Sequence, residues 1–351
     1  MLLKGVRMSK AAVIGDERSV AVRSVSAVPL APGEVRLDVA YCGMCGSDLH
    51  LFFDTPEPMT GHVLGHEFAG TVSEVGSGVD DWSVGDRVVI LPIDDCGDCF
   101  ACRNPELNGV CIVGLTQGPG LGRPGALADS VVVPATMLFA VPDGLDLRTA
   151  ALTEPLAVAV RGVWRSGAGA GDSVVVMGAG PIGLLAVEAL HSRDIIDVLV
   201  VEPNADRRAL AEGFGVTVCA PDDVFASAAG MSGPVRAVLD CTGNAKVLGQ
   251  ALSVLGYSGT VVILGIAMDT AQILPMQVTV NELTIVGSTA YSRRDFTEAL
   301  DALAAGRINS EALITSVIGL DGVDVKFRDL VSGASSDVKV LVQPKSSVLT
   351  D

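Results

Sequence analysis

Short runs of apolar residues, many of them β-branched, fill the first 150 residues and are separated by glycine, proline and aspartate. Closely spaced runs of this kind are typical of the strands of an all-β barrel or sandwich. The clearest predicted strands cover residues 34–40, 67–75, 86–90 and 130–133. We therefore expect a β-rich domain in the first part of the chain.

The pattern changes near Thr149, where apolar strands begin to alternate with longer helical segments. The predicted strands are residues 173–177, 198–201, 237–241 and 260–264, and the predicted helices are residues 182–191, 205–214 and 246–255. Strands that are apolar throughout and alternate with helices predict a parallel sheet covered on both faces. After Val286 the pattern changes again, to a helix over 294–305, a segment over 311–318 and a last strand over 338–342.

Length and composition limit the class of protein. The 351 residues are enough for two domains, and the 49% hydrophobic and 19% charged residues exclude a disordered chain. The net charge of −17 argues against nucleic acid and anionic membranes as partners. The uncharged stretch 247–268 is broken by a Gly-Tyr-Ser-Gly sequence, which favours a buried helix–turn–strand over a membrane span. No secretory signal is recognisable, so we expect a cytoplasmic protein.

A glycine-rich loop follows the predicted strand 173–177. Its sequence, G-x-G-x-x-G, allows a tight turn, close approach of the backbone to a pyrophosphate and close helix–strand packing. Glu202 lies 19 residues beyond the last glycine, at the end of the next strand, where an acid can bind ribose hydroxyls. The pattern predicts dinucleotide binding, with a purely structural glycine turn as the alternative. The predicted cofactor residues of the loop are Gly178, Gly180, Pro181, Ile182 and Gly183.

Glu202 also indicates which dinucleotide is bound. A carboxylate at this position repels the 2′-phosphate of NADP, and Pro203 and Asn204 follow it in place of a basic residue. Arg207 and Arg208 come shortly afterwards, and we interpret them as the solvated face of the next helix. The sequence therefore predicts NAD as the cofactor.

Four of the eight cysteines are clustered, and in a reducing compartment such a cluster indicates metal binding more often than disulfides. Four thiolates at this spacing close a tetrahedral zinc site with no open position, which is a structural site. An iron–sulfur cluster also uses four cysteines but is less favoured, because no other redox ligand set is present. The cluster comprises Cys96, Cys99, Cys102 and Cys111.

A second group of metal-binding residue types lies earlier in the chain. Cys45 begins the sequence C-G-S-D-L-H, and His66 and Glu67 follow 21 positions later. One thiolate and one imidazole, with a carboxylate beside the imidazole, can hold zinc and leave one position exchangeable. Such an open position is what a catalytic zinc requires.

These motifs resemble those of the zinc-dependent medium-chain alcohol and polyol dehydrogenases, and the resemblance runs from about residue 8 to residue 344. It rests on C-G-S-D-x-H at 45–50, G-H-E-x2-G-x5-G-x2-V at 65–79, the four cysteines, and Glu154-Pro155. The resemblance implies an α/β plus β architecture: a GroES-like β-barrel catalytic domain and a Rossmann doubly wound, parallel-sheet domain that binds NAD. We expect the catalytic domain at 1–150, completed by 288–351, and the Rossmann domain at 151–287.

The resemblance also implies roles for single residues. Cys45 and His66 would bind the catalytic zinc, and Glu67 and Glu154 would bind it directly or through its water. Asp48 would accept a hydrogen bond from the second ring nitrogen of His66. Lys339 stands where the family often has a basic residue near the pyrophosphate, although a surface lysine is an alternative. The resemblance implies two zinc ions per chain, NAD, and a homo-oligomer, with a tetramer favoured over a dimer.

The hypothesis for the reaction is zinc-assisted hydride transfer from an alcohol to NAD. Ser47 would take the alcohol proton and pass it, through the ribose hydroxyls, to His50. Ala290-Tyr291 stands where related polyol dehydrogenases tend to carry Arg-Tyr, and residues 51–53 could form an apolar wall. We therefore expect a secondary alcohol or a vicinal diol of the butanediol type as substrate. Sorbitol-type sugar alcohols and L-threonine are the alternatives, and a zinc-free reductase or a non-catalytic nucleotide-binding protein is the least favoured.

Overall fold

The computed structural model describes residues 8–345 except Pro56 and Pro58. The chain folds into two compact units. The first runs to Glu154 and resumes at Ile314, and the second comprises Pro155–Leu313. Within the described residues no helix is both long and apolar enough to cross a membrane.

The first unit is built on a mostly antiparallel sheet. Before residue 150 its strands are β1 (Met8–Ile14), β2 (Val20–Ser26), β3 (Glu34–Gly43), β4 (Glu67–Val75), β5 (Arg87–Ile90), β6 (Ser130–Pro134) and β7 (Leu138–Ala140). Strands β1 and β2 form a separate antiparallel ribbon, whereas β3, β4, β5 and β7 follow one another in one sheet and β6 pairs with β3. The predicted β-rich domain is therefore present. Alternate residues of β3, such as Val35, Leu37 and Val39, are fully buried, so the sheet packs one face on the core.

Short helices connect these strands: α1 (Gly46–Phe53), α2 (Phe100–Arg103), α3 (Ile112–Thr116) and α4 (Leu147–Ala150). Helix α1 begins directly after β3 and has a reciprocal cap at its start. The backbone N–H of Cys45 donates to the Asp48 carboxylate, while the Cys45 side chain faces the backbone N–H of Asp48. This cap fixes the geometry of the residues at the N-terminus of α1.

The second unit has six parallel strands: β8 (Ser173–Met177), β9 (Asp197–Val201), β10 (Thr217–Cys219), β11 (Val235–Asp240), β12 (Thr260–Ile263) and β13 (Thr284–Gly287). The sheet order is β10-β9-β8-β11-β12-β13. This is the doubly wound order in which strand order reverses beside the first strand, so the predicted parallel sheet is confirmed.

Helices connect these strands: α5 (Thr153–Ser166), α6 (Pro181–His191), α7 (Ala205–Glu212), α8 (Val224–Ala229), α9 (Val247–Val254), α10 (Pro275–Val280), α11 (Arg293–Ala304) and α12 (Ser310–Leu313). The bounds of α6, α7 and α9 differ from the predicted helices by at most two residues. Proline at the first position of α6 and α10 explains where these helices begin, because proline needs no helical N–H partner there.

The chain then completes the first unit with β14 (Ile314–Ile318), α13 (Val323–Ser332) and β15 (Lys339–Val342). Strand β15 pairs antiparallel with β3 and parallel with β14. This return begins at Ile314 rather than at residue 288, where we expected it. The reason is that α11 belongs to the second unit, where Asp295 forms a buried ion pair of 2.8 Å with Arg161 of α5.

Candidate active site

Two neighbouring segments bring three metal-binding side chains together. Cys45 precedes α1, and His66 and Glu67 stand at the start of β4, where Glu67 pairs in register with Gly43 of β3. One potential ligand atom from each of Cys45, His66 and Glu67 lies within 4.8 Å of the other two. The pairing of β3 with β4 is what places residues 21 positions apart in one cluster.

Asp48 connects the two segments. Its carboxylate accepts hydrogen bonds from the backbone N–H groups of Cys45, at 3.0 Å, and Gly65, at 3.3 Å. It also lies 3.4 Å from Nδ1 of His66, which is buried. Burial alone would lower the pKa of the His66 imidazole, but the charges of Asp48 and Cys45 raise it well above its usual value.

The donor set fits zinc. A thiolate, an imidazole and a carboxylate are ligands that zinc accepts, and three protein ligands leave a fourth position free. Nδ1 of His66 is buried and makes no hydrogen bond that meets normal geometry, while Nε2 lies 3.3 Å from Oγ of Ser47. These three side chains would hold zinc, and the Ser47 hydroxyl lies beside one of them.

The four cysteines of the second cluster are also together. The Sγ–Sγ distances are 3.5 Å for Cys99–Cys102, 3.8 Å for Cys99–Cys111 and 4.0 Å for Cys96–Cys102. A tetrahedron with zinc–sulfur bonds of about 2.3 Å requires sulfur atoms roughly 3.8 Å apart. Backbone N–H groups of Asp98 and Cys99 lower the pKa of Cys96 to about 7, which favours a thiolate there. The cluster fits a closed zinc site.

The glycine loop joins β8 to α6. Gly178 has φ +95°, and a Cβ on Gly183 would lie 1.9 Å from the carbonyl oxygen of Gly178. Only glycine fits at these two positions, and the loop therefore packs closely on the start of α6. Gly180 precedes α6 as its N-cap, with Pro181 and Ile182 as the first helical residues.

Glu202 follows β9 and is buried against this loop. Its Oε2 accepts from the backbone N–H of Ala179 at 2.8 Å, and its Oε1 accepts from that of Asn204 at 2.9 Å. Arg208, which we expected on the solvated face of α7, is half-buried and contacts the residues just before this helix. Its guanidinium donates to the carbonyl oxygens of Glu202 and Pro203, at 2.8 and 2.7 Å, which satisfies acceptors at the start of α7.

Comparison with known proteins gives the family. Residues 31–143 match the profile of the alcohol dehydrogenase GroES-like domain, and residues 181–305 match that of the zinc-binding dehydrogenases. The (R,R)-butanediol dehydrogenase of Bacillus subtilis is 35% identical, with 95% of this chain and 99% of that protein covered. The 2-dehydro-3-deoxy-L-galactonate 5-dehydrogenase of Pseudoalteromonas atlantica is 34% identical, with 96% and 98% covered.

A solved structure agrees. The crystal structure of 2R,3R-butanediol dehydrogenase from Bacillus subtilis has a TM-score of 0.85 and 34% identity, and covers 96% of this chain and 100% of that one. The chain belongs to the zinc-dependent medium-chain alcohol and polyol dehydrogenases. The predicted combination of a GroES-like domain with a Rossmann-like parallel sheet is therefore confirmed. So is the predicted function class, an NAD-dependent zinc oxidoreductase acting on secondary alcohols or diols.

Lys339 occupies an unexpected place in this dehydrogenase. The sequence suggested contact with the cofactor pyrophosphate or exposure on the surface. In the structure its Nζ lies 2.7 and 2.9 Å from the two Glu67 carboxylate oxygens and 3.3 Å from the Met44 carbonyl oxygen. These three acceptors use all three ammonium protons. Burial lowers the pKa of Lys339, but Glu67, Cys45 and Glu154 raise it overall.

Glu154 is buried in the first turn of α5 and is near enough for its charge to act on Lys339. Among the described residues it is not part of the group of converging metal ligands, which comprises Cys45, His66 and Glu67.

The prediction that residues 51–53 form an apolar wall of the substrate pocket is wrong for Phe52. This ring is buried in the core of the first unit, with its centroid 5.4 Å from that of Phe327 on α13. Leu51 and Phe53 are only partly buried and pack against the same core. A helix of eight residues turns its apolar side to the core, so Phe52 supports α1 rather than a substrate.

Proposed function

We propose that this dehydrogenase interconverts a small vicinal diol of the butanediol type and its hydroxyketone, with NAD as the hydride acceptor. The convergence of Cys45, His66 and Glu67 within 4.8 Å, with the Ser47 hydroxyl beside them, carries the proposal. This arrangement can hold a metal, leave one position for an alcohol oxygen, and offer a proton acceptor next to that position.

In this proposal Cys45, His66 and Glu67 hold the catalytic zinc, and the four clustered cysteines hold the structural one. When bound, zinc would supply a Lewis acid for the alcohol oxygen and NAD would supply a hydride acceptor. Asp48 fixes the ring of His66 and the backbone on both sides of the site. Lys339 compensates the charge of Glu67 inside the domain, and a carboxylate has enough lone pairs to accept from Lys339 and still bind a metal.

The proton of the alcohol leaves through residues of α1. Oγ of Ser47 would accept it while giving up its own hydroxyl proton, and the imidazole of His50, three residues later on the same side of the helix, would release one proton to solvent. The His50 side chain is 57% exposed, so its ring can exchange protons with water. Overall, the alcohol loses a hydride and a proton, and forms a ketone.

The substrate class follows from two observations. The chain is 35% identical to a butanediol dehydrogenase over nearly its whole length. Ala290 stands where related polyol dehydrogenases tend to carry arginine, and Tyr291, which follows it, is fully buried. The resemblance implies that this arginine binds polyol hydroxyl groups, so its absence from the sequence disfavours a long polyol as substrate.

A panel of alcohols tests the proposal. We would measure kcat/KM with NAD for the stereoisomers of 2,3-butanediol, 2-propanol, sorbitol and L-threonine. A butanediol isomer should have the highest value. A higher value for sorbitol or threonine would replace the diol by that alternative, and no turnover with any alcohol would contradict the proposed class of substrate.

We also propose a homo-oligomer, with a tetramer favoured by the resemblance to the family. Strand β13 is the edge of the six-stranded sheet, and the segment before it exposes many apolar side chains. An exposed edge with an adjacent apolar surface is typical of an interface. The exposed side chains of this segment are Ile266, Met268, Ile273, Leu274, Met276 and Val280, and Ile285 is exposed on β13 itself. Light scattering coupled to size-exclusion chromatography should give four chains per particle, and a monomer at micromolar concentration would contradict the proposal.

A cytoplasmic location completes the proposal, because zinc binding by four cysteines requires reduced thiolates. Fractionation of the source cells should find the enzyme with cytoplasmic markers. Recovery outside the cytoplasmic fraction would contradict it.

A further inference from the structure

His50 and Asp54 form a close pair at the end of α1. Nδ1 of His50 lies 2.6 Å from Oδ2 of Asp54, four residues later. An ionised carboxylate can only accept hydrogen bonds, so the proton between the two atoms belongs to Nδ1 of the imidazole. The other ring nitrogen, Nε2, then carries a free lone pair when His50 is neutral.

The backbone on both sides of Asp54 is held by one side chain. The guanidinium of Arg18, from the turn between β1 and β2, donates to the carbonyl oxygens of Phe52, Phe53 and Thr55. The last carbonyl groups of a helix have no partner within the helix, and Arg18 satisfies them here. The backbone that carries Asp54 is therefore held by a residue remote in sequence.

Side chains of α13 hold the turn that carries Arg18. The carbonyl oxygen of Arg18 accepts from Nη2 of Arg328 at 2.7 Å, and Arg328 forms an ion pair of 3.0 Å with Asp324. Asp324 also accepts from the backbone N–H of Val20, at 2.7 Å, on the other side of the turn. The turn that carries Arg18 is thus attached to α13 at two points.

The pair itself adds little to stability. The His50 and Asp54 side chains are 57% and 68% exposed, and ion pairs this exposed contribute little to folding. Without an acceptor at Nδ1, a neutral imidazole distributes its proton between both nitrogens, and molecules with the proton on Nε2 cannot accept another there.

We propose that Asp54 is a positioning residue for His50, which it keeps in the Nδ1–H form with Nε2 open to the departing proton. The inference rests on the proposed role of His50 in proton release. The proton arriving from the Ser47 side binds Nε2 and forms an imidazolium, and the same nitrogen then gives it to water. The Nδ1 proton stays with the Asp54 pair throughout.

The test compares Asp54→Ala and Asp54→Asn in the zinc-loaded, full-length enzyme. Nitrogen-15 NMR of labelled histidine should find His50 in the Nδ1–H form in the native enzyme and a raised Nε2–H fraction in Asp54→Ala. Single-turnover NADH formation should slow by about tenfold in that variant, a part of the ~10²–10⁴-fold that a positioned proton acceptor provides. Asp54→Asn retains an acceptor oxygen. Its Nε2–H fraction and its rate should therefore lie between those of the native enzyme and of Asp54→Ala.

Glu57→Gln is the matched control, because it removes an exposed carboxylate three residues away. It should change neither the His50 tautomer nor the rate. Zinc content and NADH affinity should be the same in all variants. An unchanged tautomer in Asp54→Ala, or an unchanged rate despite a changed tautomer, would overturn the inference.

His50→Ala separates this inference from the proposed function. If His50→Ala slows turnover and added imidazole restores it, the role of His50 stands, and the Asp54 variants decide the inference alone. In that case His50→Ala/Asp54→Ala should be no slower than His50→Ala. If His50→Ala turns over at the native rate, the proposed proton path is wrong and the positioning role falls with it.

Discussion

The ammonium group of Lys339 lies 2.7 and 2.9 Å from the two carboxylate oxygens of Glu67, and the two side chains are 3% and 1% exposed. Strands β15 and β4, which carry them, flank β3 in the same sheet. A buried carboxylate without its partner is strongly destabilising, so this pair ties the last strand of the first unit to the candidate zinc site.

Replacement of Lys339 by methionine should therefore destabilise the enzyme. In the enzyme without its catalytic zinc, the buried Glu67 carboxylate would lose its counter-charge, at a cost of about 3–5 kcal/mol. Thermal unfolding of both variants measures the effect. Lys345→Met is the control, because its pair with Asp38 is exposed and worth about 0–1 kcal/mol. Equal melting temperatures for the two variants would contradict the assignment of Lys339.

Ser47→Ala should lower kcat without loss of zinc. The hydroxyl lies 3.3 Å from Nε2 of His66, but serine is not part of the metal-binding group. A positioned proton acceptor contributes typically ~10²–10⁴-fold, so the loss should be at least about 100-fold. Steady-state kinetics together with metal analysis check this, with the exposed Ser77→Ala as the control. Native turnover in Ser47→Ala would remove the residue from the proton path.

Glu202 should determine the preference for NAD. Its carboxylate accepts from the backbone N–H groups of Ala179 and Asn204 and would repel the 2′-phosphate of NADP. Glu202→Gln should lower kcat/KM for NAD by roughly tenfold, since one lost charge-assisted hydrogen bond is worth about 1.5 kcal/mol or more. Glu212→Gln, exposed at the end of α7, should behave as the native enzyme. A native enzyme that prefers NADP would contradict the role given to Glu202.

Cys99→Ser should reduce the zinc content from two ions per chain to one. Its Sγ lies within 3.8 Å of those of Cys102 and Cys111, so its loss opens the closed site. The melting temperature should fall as well, because a structural zinc contributes to folding. Metal analysis by mass spectrometry measures both ions. The control Cys219→Ser, which replaces a buried cysteine at the end of β10, should retain two. Iron in place of zinc in the native protein would instead favour the iron–sulfur alternative.

The sequence predicted local structure well where neighbouring residues determine it. The glycine loop, Pro181 and the apolar strand before them act within a dozen residues, so the start of α6 lies within one residue of its predicted place. The spacing of the four cysteines likewise reflects one continuous loop. The grouping of Cys45 with His66 rested on residue types and on the family resemblance, because the register of β3 and β4 that brings them together is not specified by the local sequence.

Long-range partners were not predictable from the sequence. The contact of Lys339 with Glu67 depends on β15 joining the sheet beside β3, and nothing in the local sequence of either residue specifies it. Phe52 was expected in the wall of the substrate pocket because it follows His50 closely in sequence. The sequence did not show which side of α1 packs on the core, and Phe52 lies on that side. Arg18 and Asp54 carried no motif, although an acid four residues after a histidine on a helix was a signal that could have found Asp54.

The position of β15 also has a consequence for how the chain assembles during synthesis. Glu67 leaves the ribosome 272 residues before Lys339, which at ~5–20 residues per second means a delay of roughly 15–50 s. The second unit is continuous in sequence and can fold completely within this interval. The nascent first unit meanwhile lacks the strand that pairs with Cys42 and Gly43 of β3, and Glu67 lacks the ammonium group of Lys339. Chaperone binding during translation should therefore concentrate on the first unit until the last strand emerges.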